Sequence, residues 1–513
     1  MSTARRTLAD VLRTHAISRP DAVAFADGDV ELTWRAANAR VDRLAHALMQ
    51  AGVERDDRVL WLGQNSFRLQ EMLLASCKVG AMFCPANWRQ QEAELAFVID
   101  DLTPKVVIWQ EEEVGPTVAA GRDASTHAGA ARWICHDTGD YEEWLNEIPA
   151  GVPDPDADVG HAFPLLLIYT AAFEGRPNAA MLSSRALIAQ GLLMAPWSGI
   201  DADYVFLNSG PLFHIGTFMP NLSTFASGGT NVFVRRSDGE ALCEAIAQHR
   251  CTGGFVVGPM VDAIVTANAA NRYDLSSFRG KRGNPTFDAW VQRDDSVWGR
   301  HAGGYGQTEV MGMATFNLLG VGGIGTHGRP SPLVDVRVVD EDDNELPAGE
   351  TGEIIVRGLT VMCGYWNRFE LSEFRARNDW HHTNDLGRFE TDGTFTFVGP
   401  KTRMLKSAAE NIYPVEVENC LKEHPAVADC AVIGVPDDTW VQAVKAIVVL
   451  QVGAQVDADE LIAHAHARIA SYKKPRYIEF TDAIPRRGFA VDYDALDARY
   501  GGGNYPGGTT RSA

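Results

Sequence analysis

Apolar and polar positions follow more than one rhythm along the chain. Trp34, Ala37, Val41, Leu44 and Leu48 recur three and four positions apart, which predicts an amphipathic helix from Thr33 to Gln50, capped by Thr33 and ended at Gly52. Val59 to Leu62 is a short apolar run and reads as a buried strand; a helix follows from about Phe67 and a strand near Met82. Strands alternating with helices predict a parallel or mixed sheet covered on both faces. PLLLIY (164–169) is the next strong strand, and a special loop follows it. From Val334 the rhythm changes: VDVRVVD, an acidic turn (EDDNELPAGE) and GEIIVRG predict an antiparallel hairpin. After Lys401 short segments return, with helices at about 415–423 and 458–470 and strands at about 429–434 and 443–450. The fold class is therefore α/β, with a main boundary near residue 400: a large N-terminal domain over 1–400, a small α+β C-terminal domain over 401–500, and a flexible, glycine-rich tail over 501–513.

Composition narrows the function classes. The 513 residues correspond to about three domain-sized units. A chain that is 45% apolar and 22% charged is an ordinary globular one, not disordered or fibrous. Its 46 basic against 67 acidic side chains leave a net charge of −21, which argues against nucleic acid or an anionic membrane as main partner. The eight cysteines (77, 84, 135, 243, 251, 363, 420, 430) form no CxxC pair, so neither a zinc site nor a disulfide framework is expected. MSTARRTLADVL lacks the apolar core of a secretory signal, and no run of ~18 apolar residues exists, so no membrane span is expected and the cytoplasm is the default location.

Several segments carry chemistry in a fixed order: IYTAAFEGRPNAAMLS (168–183), PLFHIG (211–216), GYGQTE (304–309), TND (383–385), ENIYPVEVE (410–418) and IPRRGFAVD (484–492). Together they resemble the acyl-CoA ligase branch of the adenylate-forming enzymes, over nearly the whole chain. The resemblance implies α/β subdomains plus a small β-barrel-like part in the N-terminal domain, and a C-terminal domain that rotates as a mobile cap. It implies two half-reactions: a carboxylate attacks ATP to give an acyl-adenylate and pyrophosphate, then CoA attacks the acyl-adenylate and expels AMP. Gly304 and Gly306 allow close backbone approach to a nucleotide, and Tyr305 offers a ring face to adenine. By resemblance Thr308 would bond the α-phosphate, Glu309 would hold Mg²⁺, and Asp385 would take the ribose hydroxyls. Asn384 stands where the family has glycine, and Asn tolerates positive φ. His214 would lie beside the acyl carbonyl and the entry of CoA. His381 and His382 precede the TND and are explained by that motif rather than by a metal; His464 and His466 face different sides of a helix.

The departures are as informative. Where the family's phosphate loop reads YTSGTTGxPKG, this chain has Tyr169, Thr170, Ala171, Ala172, Phe173, Glu174, Gly175, Arg176, Pro177 and Asn178. The loop loses hydroxyls, backbone freedom and its lysine, and gains a negative charge. Two like charges ~4 Å apart repel by about 4 kcal/mol at an effective dielectric of 20, so Glu174 facing pyrophosphate would weaken ATP binding by orders of magnitude. The terminal lysine of the family falls on Ala490 or Val491, which cannot stabilise developing negative charge. The hinge arginine is replaced in Gly399–Pro400, and Ser407, Ala408 and Ala409 replace an SGG that lines the CoA tunnel. The acyl-pocket segment GGAP is Gly283, Asn284, Pro285 and Thr286, so substrate rules do not transfer.

Both strong losses serve adenylation, and neither is needed when the substrate is already an acyl-adenylate. The expected function is thioesterification alone: an acyl-adenylate made by a separate adenylating enzyme is transferred to CoA. This pattern is similar to non-adenylating ligases of platensimycin-type diterpenoid biosynthesis, which implies a bulky diterpenoid acid. The rival readings are an ordinary two-step ATP-dependent ligase and an inactive protein that binds acyl-adenylate or CoA. Lys473, Lys474 and Arg476 form a basic cluster, read as a solvated surface in preference to a contact for CoA phosphates.

Overall fold

Two sheets in the first half of the chain explain why its strands read as unbroken apolar runs: both faces are covered. The computed structural model describes residues 6–155, 160–170, 176–401, 403–407, 410–487 and 490–505. The larger sheet runs, in spatial order, Arg132–Cys135, Val106–Trp109, Arg58–Leu62, Met82–Pro85, Pro164–Tyr169 and Ala179–Ser183, parallel except for the last strand. The second runs Gly253–Gly254, Val205–Asn208, Thr230–Phe233, Val23–Asp27 and Val30–Thr33, again antiparallel only at its last strand. Helix Trp34–Gln50 packs Trp34, Ala37, Val41, Leu44 and Leu48 into a core that joins the sheets, and Thr33 Oγ1 accepts from Ala36 N at 3.2 Å. Burying side chains of this size stabilises the fold by about 1.5–3 kcal/mol each.

The small β part of the N-terminal domain is a four-stranded antiparallel sheet, Val334–Val339, Gly352–Gly358, His381–Phe389 and Phe395–Pro400. Its first two strands are the predicted hairpin. The C-terminal domain is a mixed sheet in the order Glu410–Ile412, Leu405–Ser407, Val441–Leu450 and Val427–Asp437, with Tyr477–Phe480 parallel to Val441–Leu450. Helices Pro414–Lys422 and Ala458–His466 cover one face of it. The strands are longer than their apolar runs, and the second helix stops at His466, short of the expected residue 470. Within the expected tail, residues 501–505 are packed: Tyr505 Oη donates to Asp497 at 2.8 Å and accepts from Gly434 N at 2.9 Å. Residues 506–513 lie outside the described residues. No described helix is long and apolar enough to cross a membrane.

Candidate active site

Residues 303–317 form a loop that closes on itself, with Gly312 N donating to Gln307 O at 3.0 Å and Ala314 N to Tyr305 O at 2.9 Å. A Cβ on Gly306 would overlap the Gly312 carbonyl, so the turn requires glycine there. Thr308 and Glu309 open the short turn Thr308–Val310 that follows, and Gly304 precedes it with φ 151°.

The loop carries Tyr305 to the second motif. Tyr305 Oη donates to Asp385 Oδ2 at 2.8 Å, and Gln307 Nε2 donates to the same oxygen at 3.1 Å. Asn384 holds the turn before Asp385 at φ 59°, the left-handed conformation expected of its replacement of glycine. One face of Tyr305 is already covered by Phe397, with ring centroids 5.2 Å apart and planes 25° from parallel. Burial, reinforced by the charge of Glu309, pushes the Asp385 carboxyl up to about 7, against the hydrogen bonds from Tyr305 and Gln307. His381 belongs to this cluster too. Burial, with the charges of Arg375 and His382, lowers it to about 3, so it is neutral; Gln307 Oε1, 3.1 Å from its Nε2, is an acceptor, which assigns the ring proton to Nε2.

Glu309 is buried, accepts from Tyr365 Oη at 2.7 Å, and has its carboxyl pushed up by burial. The positive charge of Arg375 acts on Glu309 and on Asp385 in the opposite sense. Among the described residues no group of three or more His, Cys, Asp or Glu side chains could hold a metal ion. A lone carboxylate does not hold Mg²⁺ without phosphate oxygens of a bound nucleotide, and no step is derived through the ion.

A second cluster gathers at the start of helix Ile215–Ser227, where His214 is the N-cap residue. His214 Nε2 lies 3.1 Å from Glu410 Oε2, and Arg89 Nη1 donates to Glu410 Oε1 at 3.0 Å. Glu410 sits on the hairpin of Leu405–Ser407 and Glu410–Ile412, so this contact joins the domains. Burial would raise the Glu410 carboxyl, but the bond with His214 and the charges of His214, Arg89 and Lys406 outweigh it and hold the group below the usual carboxylate range.

The expected phosphate loop is only partly seen. Thr170 N and Oγ1 both donate to Asn178 O, at 2.8 and 3.2 Å, closing the neck between strands Pro164–Tyr169 and Ala179–Ser183. Ala171, Ala172, Phe173, Glu174 and Gly175 lie outside the described residues, as do Ala408 and Ala409 of the expected CoA tunnel. Ser407 is buried and borders a cavity of about 860 Å³ between the domains, also lined by Trp88, Arg89, Trp440, Tyr472, Lys474 and Arg476. Arg476 stacks on Trp440 at 4.8 Å.

At Lys473 the reading of the cluster as a solvated surface is corrected, whereas Arg476 is exposed at the cavity rim. Lys473 is only 6% exposed and donates to Glu94 of the N-terminal domain at 2.7 Å and to Glu416 of the C-terminal domain at 2.6 Å. Lys473→Ala leaves these buried carboxylates without their shared cation. It is expected to destabilise the docked arrangement by about 3 kcal/mol, measured as earlier thermal unfolding and faster proteolysis of the C-terminal domain.

The structure separates the terminal segment from both clusters. Val491, in the hairpin of Arg486–Arg487 and Ala490–Val491, packs with Ala431, Ile433, Ile447, Ile484 and Leu496. Those residues form the sheet face opposite to the one that carries helices Pro414–Lys422 and Ala458–His466. Glu410, Arg89, Gln307, Tyr365, Arg375 and Trp440 were not assigned from the sequence. Glu410 opens a quoted motif and could have been singled out; Arg89 has no local signal.

Comparison with known proteins identifies the family and the fold. The model of the AMP-binding enzyme family matches residues 12–366, and that of the AMP-binding enzyme C-terminal domain matches residues 416–488. A feruloyl-CoA synthase of Amycolatopsis sp. is 37% identical over 478 residues, covering 91% of this chain and 94% of the relative. An indoleacetate–CoA ligase of Aromatoleum aromaticum is 31% identical over 490 residues, covering 93% and 95%. Among solved structures, an amide bond synthetase from Marinactinospora thermotolerans superposes with a TM-score of 0.79 at 24% identity, over 97% of this chain and all (100%) of that one. An o-succinylbenzoate CoA synthetase from Bacillus subtilis bound to a product analogue gives 0.77 at 23% identity, over 96% and 98%. These two share the fold of a large N-terminal and a small C-terminal domain.

Proposed function

Because the chain belongs to the AMP-binding enzyme family, in its acyl-CoA ligase branch, we propose that it performs the thioester-forming half of that chemistry and takes its acyl-adenylate preformed from a separate adenylating enzyme. The observation that carries this reading is the docking of the paired strands Leu405–Ser407 and Glu410–Ile412. It sets Glu410 on His214, while the hairpin that would hold an adenylation lysine lies on the far face of the C-terminal sheet and has none. The sequence losses at Ala171–Gly175, Asn178, Pro400 and Ala490 or Val491 point the same way.

In this reading Asp385 accepts the ribose hydroxyls, Thr308 meets the phosphate, and the acyl carbonyl lies beside His214. Glu410, ionised, keeps the His214 Nε2 proton on its side, which leaves Nδ1 to accept the thiol proton. The CoA sulfur attacks the carbonyl carbon, the bond from that carbon to the phosphate oxygen breaks, and AMP departs with the bonding pair. The cavity at Arg89, Lys474, Arg476 and Trp440 suits CoA's nucleotide: cations for phosphates, rings for adenine. The acids named in the relatives above, feruloyl and indoleacetate, favour an aromatic acyl group over a diterpenoid one.

The reading is tested by supplying CoA with either acid plus ATP or the synthetic acyl-adenylate. Thioester from the adenylate alone supports it; pyrophosphate exchange from acid plus ATP overturns it. Lys474→Ala with Arg476→Ala is expected to raise the KM for CoA at least about tenfold at unchanged kcat, and to affect 3′-dephospho-CoA less.

Asp385 gives a pH-dependent check. Ribose hydroxyls bind the ionised carboxyl, which in the free protein forms only as pH rises through about 7. Adenosine affinity is therefore expected to rise by up to about tenfold per pH unit below 7 and to level off above it. Asp385→Asn should flatten the profile in a calorimetric titration; adenosine avoids the titration of a phosphate.

A further inference from the structure

Gln190 is a polar group that neither cluster uses. It lies on helix Ser184–Trp197, which packs along the helix that His214 caps, and it has no solvent exposure. Among the described residues its Nε2 meets only the thioether of Met219, at 3.6 Å, and its buried Oε1 meets no partner. A thioether accepts but cannot donate, which places the amide nitrogen toward sulfur and leaves the carbonyl oxygen unpaired. An amide buried with an unmet acceptor is costly, so a native core that keeps one calls for a reason.

Its position suggests the reason. Met219 is five residues beyond His214 on the same helix, so about 7.5 Å along the axis. Its thioether also packs against Gly312, where a Cβ would overlap it, and Gly312 in turn abuts Gly306 of the nucleotide loop. Met219 thus stands between the loop, the His214 helix and Gln190. An acyl group whose carbonyl lies beside His214 and which runs along this helix reaches Met219 within that rise, and a methionine side chain yields readily to a ligand.

We infer that Gln190 determines acyl specificity: its Oε1 accepts a hydrogen bond from a hydroxyl at the distal end of the acyl group once Met219 has moved aside. This rests on the placement of the acyl carbonyl beside His214, and not on which half-reaction survives. The expected ligand is thus a hydroxylated acyl-adenylate, and the apolar analogue is disfavoured because it leaves the amide unpaired.

The test measures binding, so it is independent of turnover. The probes are 4-hydroxycinnamoyl- and cinnamoyl-sulfamoyladenosine, unreactive adenylate analogues that differ by one hydroxyl. Wild type is expected to prefer the hydroxylated probe by about tenfold. Gln190→Leu should bring the ratio to about one, by strengthening the apolar probe and weakening the other, without lowering the melting temperature. Gln190→Met repeats the measurement if the leucine variant does not fold. A ratio near one in wild type, a ratio that survives both substitutions, or binding of neither probe overturns the proposal. Failure of the proposed half-reaction would appear instead as pyrophosphate exchange with ATP or as absent thioester, with this ratio intact.

Discussion

With CoA and a matching acid, ATP is expected to give thioester at least about 10⁴-fold more slowly than the synthetic acyl-adenylate does. Removing one preorganised donor to a developing oxyanion costs about 10²–10³ in rate. Here the terminal lysine and the phosphate-loop lysine are both absent, replaced by Ala490 or Val491 and by Asn178, and Glu174 adds a charge of the wrong sign. None of these positions is asked to act on an adenylate, which is already an activated anhydride. Pyrophosphate exchange gives the same comparison without CoA. A gain-of-function variant sharpens it: Ala171→Ser, Phe173→Thr, Glu174→Thr, Asn178→Lys and Ala490→Lys together should restore measurable exchange. If exchange stays absent, these losses are not the decisive ones.

His214→Ala is expected to lower kcat for thioester formation from the adenylate by about 10²-fold at pH 7. The thiol itself, with a pKa near 8.5, ionises as pH rises, so the deficit should shrink toward pH 9. Glu410→Gln should give a smaller loss with the same pH trend, because it keeps the contact with His214 and removes only the charge on the accepting oxygen. Arg89 holds the other Glu410 oxygen at 3.0 Å and orients the pair across the domain boundary. A His214→Ala enzyme with an unchanged rate and pH profile would refute the base role.

Much of the fold was legible because its determinants are local. The 3.6 rhythm from Trp34 to Leu48 dictates which side of one helix is buried, whatever it packs against. The VDVRVVD and GEIIVRG segments pair across a short acidic turn, so their register needs no distant partner. Gly306 and Asn384 announced their turns, the first because a Cβ there would meet the Gly312 carbonyl and the second because few residues adopt its left-handed backbone. The helix predicted to 470 ended at His466, and 501–505 packed instead of hanging free because Tyr505 bonds Gly434, 71 positions away, as well as Asp497.

The site divides in the same way. The sequence by itself determined the α/β class, the glycine-bearing loop with Tyr305 and Glu309, the Asp385 turn, and which of the family's residue types stand at Asn178 and at Ala490 or Val491. Only the tertiary structure decided that His214 meets Glu410, 196 positions away, and that Lys473 is buried between Glu94 and Glu416. A run such as SYKKPR reads as solvated because lysine is rarely buried without partners, and its partners here come from other elements and another domain. Charges act through space, so their roles were set by how the two domains dock, which no periodicity along the chain encodes.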